Sequence, residues 1–302
     1  MLGGAFGFGN PANLVNSQKL VFSGFPGHDV YNVTAPFEWK ERSVIAGRVE
    51  RRSEELSEIV LFSETDGEWR PIEGAPTFPG LQDPCVTMMD GKVVLGGVRF
   101  PVTIGEDRKA WQMEFYREGL NGGFDKVLTG PPKMKDIRFL QLPDGRILVL
   151  TRPQGERGGR GRIGFCLVES LIQARWETIE SAPLFYHCPE EQWVGANEAH
   201  LLTKNKIGVL GHLAEFREDG SRRYRSMVFC IDLETGQSTE TEIIAERSDF
   251  PPGESKRPDL QDVIFSGGLL RLGHGRARLF AGLSDAEAGS LDLPDPFLKF
   301  LA

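Results

Sequence analysis

A long internal period limits what this chain can fold into more than any other feature. Five acidic residues head similar short β-rich runs: Asp29 in GHDVYN, Asp83 in LQDPCV, Asp136 in MKDIRF, Glu198 in GANEAHL and Asp262 in LQDVIF. Their separations are 54, 53, 62 and 64 residues. A unit of roughly 60 residues repeated five times spans the chain, and it is longer than the WD40 repeat of about 40 to 45. It suits a four-stranded blade with long connections. The sequence therefore predicts an all-β fold, a five-bladed β-propeller forming a single domain over residues 1–302. The innermost strand of each blade lines the central channel, so acids that begin the inner strands would converge on one mouth of it. Any one of them could instead cap a turn or satisfy backbone N–H groups. Five at the same phase call for a shared reason.

The local pattern agrees with the period. Runs such as SVIAGRVE, EIVLFSE, KVVLGGVRF, RILVLTR, KIGVLGH, SMVFCIDL and ARLFAGLSD read as strands, while helical periodicity is scarce. Asp66-Gly67, Asp90-Gly91, Asp144-Gly145 and Asp219-Gly220 punctuate them, and Asp-Gly between apolar runs is a strong hairpin signal. The Pro-rich stretch RSDFPPGESKRPD, from Arg247 to Asp259, reads as the connection between the fourth and fifth blades. The tail DLPDPFLKFLA is expected to pack on the last blade or to close the ring with the N-terminal segment.

Composition narrows the function classes. With 40% hydrophobic and 26% charged residues the chain is an ordinary globular one. Its net charge of −8 repels phosphate backbones and anionic membranes, so neither nucleic acid nor membrane is expected as a partner. The one basic cluster, Arg157, Arg160 and Arg162 in GERGGRGR, reads as a glycine-rich loop. No run reaches a membrane-spanning length of about 18 apolar residues. The first residues lack the pattern of a signal peptide. Cys85, Cys166, Cys188 and Cys230 form no CxxC pair, which argues against structural zinc. Together these predict a cytoplasmic protein with reduced thiols.

The motifs resemble a known family. VYNVTAPF, then IAGRVER and EIVLFSETDGEW, resemble the first blade of glycoside hydrolase family 130, which holds mannoside phosphorylases and some β-mannosidases. Asn32 and Arg48 match that family's Asn and its Arg in an RVE-like run. LQDPCVTMMDGKVVLGG is similar to the EDPR-type segment whose Asp is the general acid, which gives that role to Asp83; Gln82 and Cys85 depart from the family's Glu and Arg. MKDIRFLQLPDGRILVLTRP resembles the lysine–aspartate strand and matches Lys135, Asp136 and Arg152. His212 in GVLGH falls on the family's histidine, and Asp285 on the Asp of its GxxD turn. VGANEAHLL brings Glu198 and His200 where the relatives have small residues. Nearly the whole chain also resembles domain-of-unknown-function family 1861, which shares the propeller fold.

The resemblance implies a carbohydrate-active enzyme that cleaves a glycosidic bond in the central channel, a phosphorylase or a hydrolase. Such cleavage needs a proton donor, and a ring of like charges would raise the pKa of the Asp83 carboxyl. Asp29, Asp136, Asp262 and Asp285 would hold sugar hydroxyls or tune that acid. A phosphorylase needs cations for phosphate, for which Arg48, Lys135, Arg152 and His212 are candidates. A hydrolase needs a second carboxylate, for which Glu198 is the candidate, with His200 on the same strand face. The expected ligands are a small oligosaccharide or glycoside and inorganic phosphate, with no organic cofactor. His28, Asp29, Glu198 and His200 suit a divalent ion in type, but nothing in the sequence fixes their mutual distance, and no metal is expected. Trp193 is a candidate stacking surface for a pyranose ring. The alternative is a propeller that binds a glycan or protein partner without catalysis.

Overall fold

The computed structural model describes residues 16–301. They form 21 strands, with one short helix, α1 (Trp176–Ser181), and several single 3-10 turns. The strands fall into five successive antiparallel meanders. The first holds β2 (Asp29–Tyr31), β3 (Phe37–Trp39), β4 (Arg42–Glu50), β5 (Glu58–Thr65), β6 (Glu68–Pro71) and β7 (Phe78–Pro79). The second holds β8 (Leu81–Met89), β9 (Lys92–Ile104), β10 (Asp107–Glu118) and β11 (Phe124–Pro132). The third holds β12 (Arg138–Gln141), β13 (Ile147–Thr151) and β14 (Gly164–Val168). The fourth holds β15 (Trp193–Leu201), β16 (Lys206–Phe216), β17 (Arg222–Asp232) and β18 (Glu242–Ala245). The fifth holds β19 (Asp262–Gly273), β20 (Arg276–Leu283) and β21 (Glu287–Pro294). A short parallel contact, Arg223 beside Asp262 and Tyr224 beside Val263, joins the fourth to the fifth.

The fifth meander is completed from the other end of the chain. Strand β1 (Asn16–Lys19) pairs antiparallel with β21, from Asn16 opposite Asp292 to Lys19 opposite Gly289. The tail packs on the same meander, with Phe297 fully buried in its apolar cluster and lying against Gly208 of the fourth. Both readings of the ends therefore hold: the tail docks on the last sheet, and the start of the chain closes it.

The hairpin signals work as the residues dictate. Asp66-Gly67 and Asp90-Gly91 have positive φ at both positions (55° and 83°, 51° and 70°), the twist that joins β5 to β6 and β8 to β9 without splaying the strands. Apolar residues on both faces of each sheet then need neighbours. The buried core divides into five clusters, one in each seam between successive meanders. One of them packs Phe280 and Ala288 of the fifth against Val30, Ile45 and Phe62 of the first, and this closes the ring. Burial is the main favourable term, about 25 cal/mol per Å² of apolar surface, and each meander supplies half of two seams.

Where the fifth meander meets the segment after β2, two positions leave no room for a side chain. A Cβ on Gly267 would stand 1.6 Å from the Val33 carbonyl oxygen, and one on Gly282 would stand 1.9 Å from Asn32 Oδ1. The described residues contain no helix long and apolar enough to cross a membrane. Gly267→Ala should force β19 away from the segment after β2 and destabilise the fold by about 2–4 kcal/mol or more. Urea denaturation of the purified variant measures this, with Gly123→Ala, whose added Cβ meets nothing and whose backbone is not left-handed, as the control for loss of a flexible glycine.

Candidate active site

Inner strands carry their polar groups at an irregularity in the backbone. Asn32, Asp83 and Asp136 all have left-handed backbones, with φ of 46°, 51° and 57°. Asn and Asp tolerate this region best among residues with a side chain. Asp83 lies in the register shift of β8 between Gln82 and Cys85, and Asn197 lies in the shift of β15 between Ala196 and Glu198. The repeat thus runs Asn32, Asp83, Asp136, Asn197, with Gly267 at the equivalent shift of β19. It does not run through all five acids. Asp29 comes three residues before this phase and Glu198 one residue after it. In a strand such offsets change the face a side chain occupies.

Around Asp83 the partners are dense. Asn32 Nδ2 donates to Asp83 Oδ1 at 2.8 Å, and Arg48 donates to the same oxygen at 3.0 Å. Arg48 also donates to Glu50 Oε2 at 2.7 Å and to Ser57 Oγ at 3.0 Å. Glu50, 1% exposed, accepts further from the Tyr31 and Ser57 hydroxyls and from Lys256. Arg-Val-Glu places Arg48 and Glu50 two residues apart on one face of β4. Burial alone would push the Asp83 carboxyl up, but the charges of Arg48 and Lys135 and the bonds from Asn32 and Arg48 outweigh it. Asp83 is held below its ordinary value. This reverses the expectation of a raised acid: the neighbours that decide are cations, not a ring of carboxylates.

Asp285 is the carboxyl that moves up. It sits in the turn between β20 and β21 with φ of 52°, half-buried as a residue and with its carboxyl desolvated. Burial and the charges of Asp83 and Glu50 favour its protonated form, against Arg48 and Lys256. The two carboxyls beside Arg48 are thus pushed apart in proton affinity, one ionised and one inclined to hold a proton.

A second group adjoins the first. Asp136 Oδ2 is 3.4 Å from Arg152 and 3.9 Å from His212 Nε2, and Oδ1 is 3.7 Å from Arg138. His212 Nδ1 lies 2.8 Å from Asn197 Oδ1, and the ring stacks on Tyr224. Burial drives the His212 pKa down to about 4, so the imidazole is neutral at pH 7 in the free site. Arg48 is already bound by Glu50, Asp83 and Ser57, and Arg152 donates to the Val194 carbonyl. Lys135 is half-buried and forms no ion pair among the described residues. Its charge acts on Asp83, and its Nζ lies 5.7 Å from the centre of the Trp111 ring.

Other residues singled out in the sequence lie apart. Asp29 is held by Arg52 at 2.8 Å and lines a cavity of about 400 Å³ with His28, Phe25 and Glu287. Asp262 pairs with Arg217 and Arg223. Glu198 accepts from the Leu269 amide at 2.7 Å, and its Oε2 is 2.9 Å from His200 Nε2, without the alignment of a hydrogen bond. Glu198 lines a cavity of about 270 Å³ further along the inner strands, with Thr34, Cys85, Arg138 and Gly267. It therefore faces a cavity whose lining does not include Asp83. The metal grouping dissolves for the same reason, since His28 and Asp29 line one cavity and Glu198 another. Trp193 is 6% exposed and packed between Phe216 and Tyr224, so it offers no open face to a sugar. Sequence reasoning missed Tyr31, Glu50, Asn197, Tyr224 and Lys256. The alternation of Arg48 with Glu50 could have revealed one of them.

Residues 7–299 match the family described as "Protein of unknown function (DUF1861)". The chain belongs to that family. It is 34% identical to MPT-4, a mannose phosphorylase from Leishmania mexicana solved in complex with phosphate ion, over 94% of this chain and 89% of that one, with a TM-score of 0.85. It is 30% identical to MPT-1, a GDP-Man-dependent mannosyltransferase from the same organism, over 94% and 92%, with a TM-score of 0.84. A β-1,2-mannobiose phosphorylase from Listeria innocua, solved with β-1,2-mannobiose, shares 14% identity over 97% of each chain with a TM-score of 0.62, a likeness of fold. No curated protein matches the sequence. The fold is that of the glycoside hydrolase family 130 propellers, as the motifs imply.

The neutral His212 has a consequence for stability. Its pKa of about 4 in the native state lies below the 6.5 of an ordinary histidine. Between those values the unfolded chain binds a proton that the native state does not, so stability falls as pH drops from 6.5 toward 4. The depressed carboxyls act only lower, where Asp83 and Glu50 begin to protonate, and Asp285 acts in the opposite direction. Wild type should lose more stability between pH 7 and pH 5 than His212→Gln, by about 2 kcal/mol. Denaturation midpoints at the two pH values check this, with His187, also lowered to about 4, supplying the slope that remains in the variant.

Proposed function

We propose that this protein transfers a mannosyl group between a phosphate and a sugar hydroxyl, as a mannoside phosphorylase with Asp83 as its acid–base residue. The single observation that carries this is the Asp83 carboxylate, held by Arg48 and Asn32 with the charge of Lys135 acting on it. In phosphorolysis a phosphate oxygen bonds to the anomeric carbon as the glycosidic C–O bond breaks, and protonated Asp83 gives its proton to the departing oxygen. In the reverse direction ionised Asp83 takes the proton of the acceptor hydroxyl while phosphate leaves. The depressed state of Asp83 in the free site is the form the synthetic direction needs, and an arriving phosphate dianion would raise its proton affinity for the other.

Lys135 supports the anion site as the cation of this cluster without an ion-pair partner among the described residues. Arg152 adds charge while its fork is fixed by backbone carbonyls. Asp136 and Asp285 are suited to sugar hydroxyls. The likeness to a mannose phosphorylase that holds phosphate supports the reading. Likeness to a GDP-Man-dependent transferase names the second donor worth testing. Hydrolysis through Glu198 is the second reading, since Glu198 lines a cavity whose lining does not include Asp83.

The test supplies mannose 1-phosphate or GDP-mannose with mannose as acceptor, and β-1,2-mannobiose with and without phosphate. Wild type should release phosphate from mannose 1-phosphate as oligosaccharide forms, and Asp83→Asn should lower kcat by about 10²- to 10⁴-fold with its fold intact. Turnover with GDP-mannose alone would make the protein a nucleotide-sugar transferase. Free mannose formed without phosphate would make it a hydrolase.

A further inference from the structure

The connection between the fourth and fifth meanders does more than span a gap. Three ion pairs strap it to the first meander: Arg52 with Glu254, Arg257 with Glu55 at 3.5 Å, and Lys256 with Glu50. In the first pair the side chains are 40% and 70% exposed, and the second is similar, so both are worth little. The third is of another kind. The Lys256 side chain is 7% exposed and that of Glu50 not at all. Lys256 also donates its backbone N–H to the Ser284 carbonyl at 3.0 Å, at the turn that carries Asp285. One residue from a polar loop therefore reaches both the ion-pair core under Asp83 and the turn of the second carboxyl.

The Glu50 carboxylate is divided between two cations. Its Oε2 takes Arg48 and the Ser57 hydroxyl, and its Oε1 takes Lys256 and the Tyr31 hydroxyl. Arg48 is in turn divided between Glu50 and Asp83. We propose that Lys256 is a positioning residue: by giving Glu50 its second cation it leaves the Arg48 fork shared with Asp83, and so fixes where the Asp83 carboxylate stands. The inference rests on the reading of Asp83 as the acid–base residue. Without Lys256 one guanidinium would face Glu50, Asp83 and Asp285 together, and a buried carboxylate would lose half of its compensation. The groups facing Asp83 are Arg48, Lys135, Asn32, Asp285 and His212. Those facing Asp285 are Arg48, Lys256, Asp83 and Glu50, with Tyr31, Tyr224 and Arg257 also within range of its charge. Removing one cation makes both carboxyls hold protons more readily.

The experiment compares wild type with Lys256→Met, Lys256→Arg and the pair Lys256→Met with Glu50→Gln. For each, kcat, KM for mannose 1-phosphate and the pH profile of kcat/KM are measured in the synthetic direction. A carboxyl-carbon NMR titration of Asp83 and Asp285, which needs no turnover, is run beside it. Lys256→Met should lower kcat by about tenfold or more with KM changed less than about threefold, and should move the acid limb of the profile up by about one pH unit. Lys256→Arg should restore most of kcat. The paired variant, which removes one charge of each sign, should fold even where Lys256→Met does not and should return the limb toward wild type. An unmoved profile and titration in folded Lys256→Met would overturn the proposal, as would a rise in KM alone, which would make Lys256 a substrate contact. If wild type turns nothing over, the reading of the function fails by itself. The titration then still decides the coupling of Lys256 to Asp83.

Discussion

Everything at the candidate site leans on one buried guanidinium. Arg48 divides its hydrogen bonds among Glu50, Ser57 and Asp83, and each of these is held in place by being one of several acceptors on a rigid fork. Taking a charge of either sign out of water costs several kcal/mol, and only dense mutual pairing offsets it. The site is therefore assembled as a unit. Asn32, Asp83, Glu50 and Lys256 come from the first meander, the second and the connection between the fourth and fifth, and the ring joins them in one hydrogen-bonded network through Arg48. The left-handed backbones at Asn32, Asp83 and Asp136 point the same way, since strain of about 1 kcal/mol or more per residue persists where the surroundings over-determine it.

The chemistry follows from how the carboxyls are separated rather than from how many there are. Two of them share Arg48, yet one is surrounded by donors and cations while the other has burial and negative neighbours. That asymmetry lets one site hold a base and a proton together. A symmetric ring of acids around a channel could not do so, because its members would have equal claims on each proton. The neutral His212, stacked on Tyr224 and set against Asn197 and Asp136, supports the shape of the second group without adding charge.

Much of the architecture was legible in the sequence, because a repeated unit leaves a period and a hairpin leaves its Asp-Gly. Asn32, Arg48, Asp83, Lys135, Asp136, Arg152, His212 and Asp285 were found through motifs, and the structure brings them to one region. The phase of the repeat was harder to read. Asp29, Glu198 and Asp262 are acids close to the right positions, but a strand turns a small offset into the opposite face, and composition cannot supply the register. Asn197 went unnoticed beside a more conspicuous glutamate. Lys256 could not have been found by motif at all: its partner Glu50 lies 206 residues away, and only the closure of the ring makes them neighbours.

That closure also governs how the chain comes into being. Strand β1 is among the first described residues to leave a ribosome, and its partner β21 is among the last. Until then its edge has no partner in the fifth meander, and the seam between first and fifth has only one wall. Contacts this distant in sequence are slow to form, since loop closure must precede any reward from the pairing. Until β21 has been made, the half-made ring leaves a sheet edge and an apolar face uncovered.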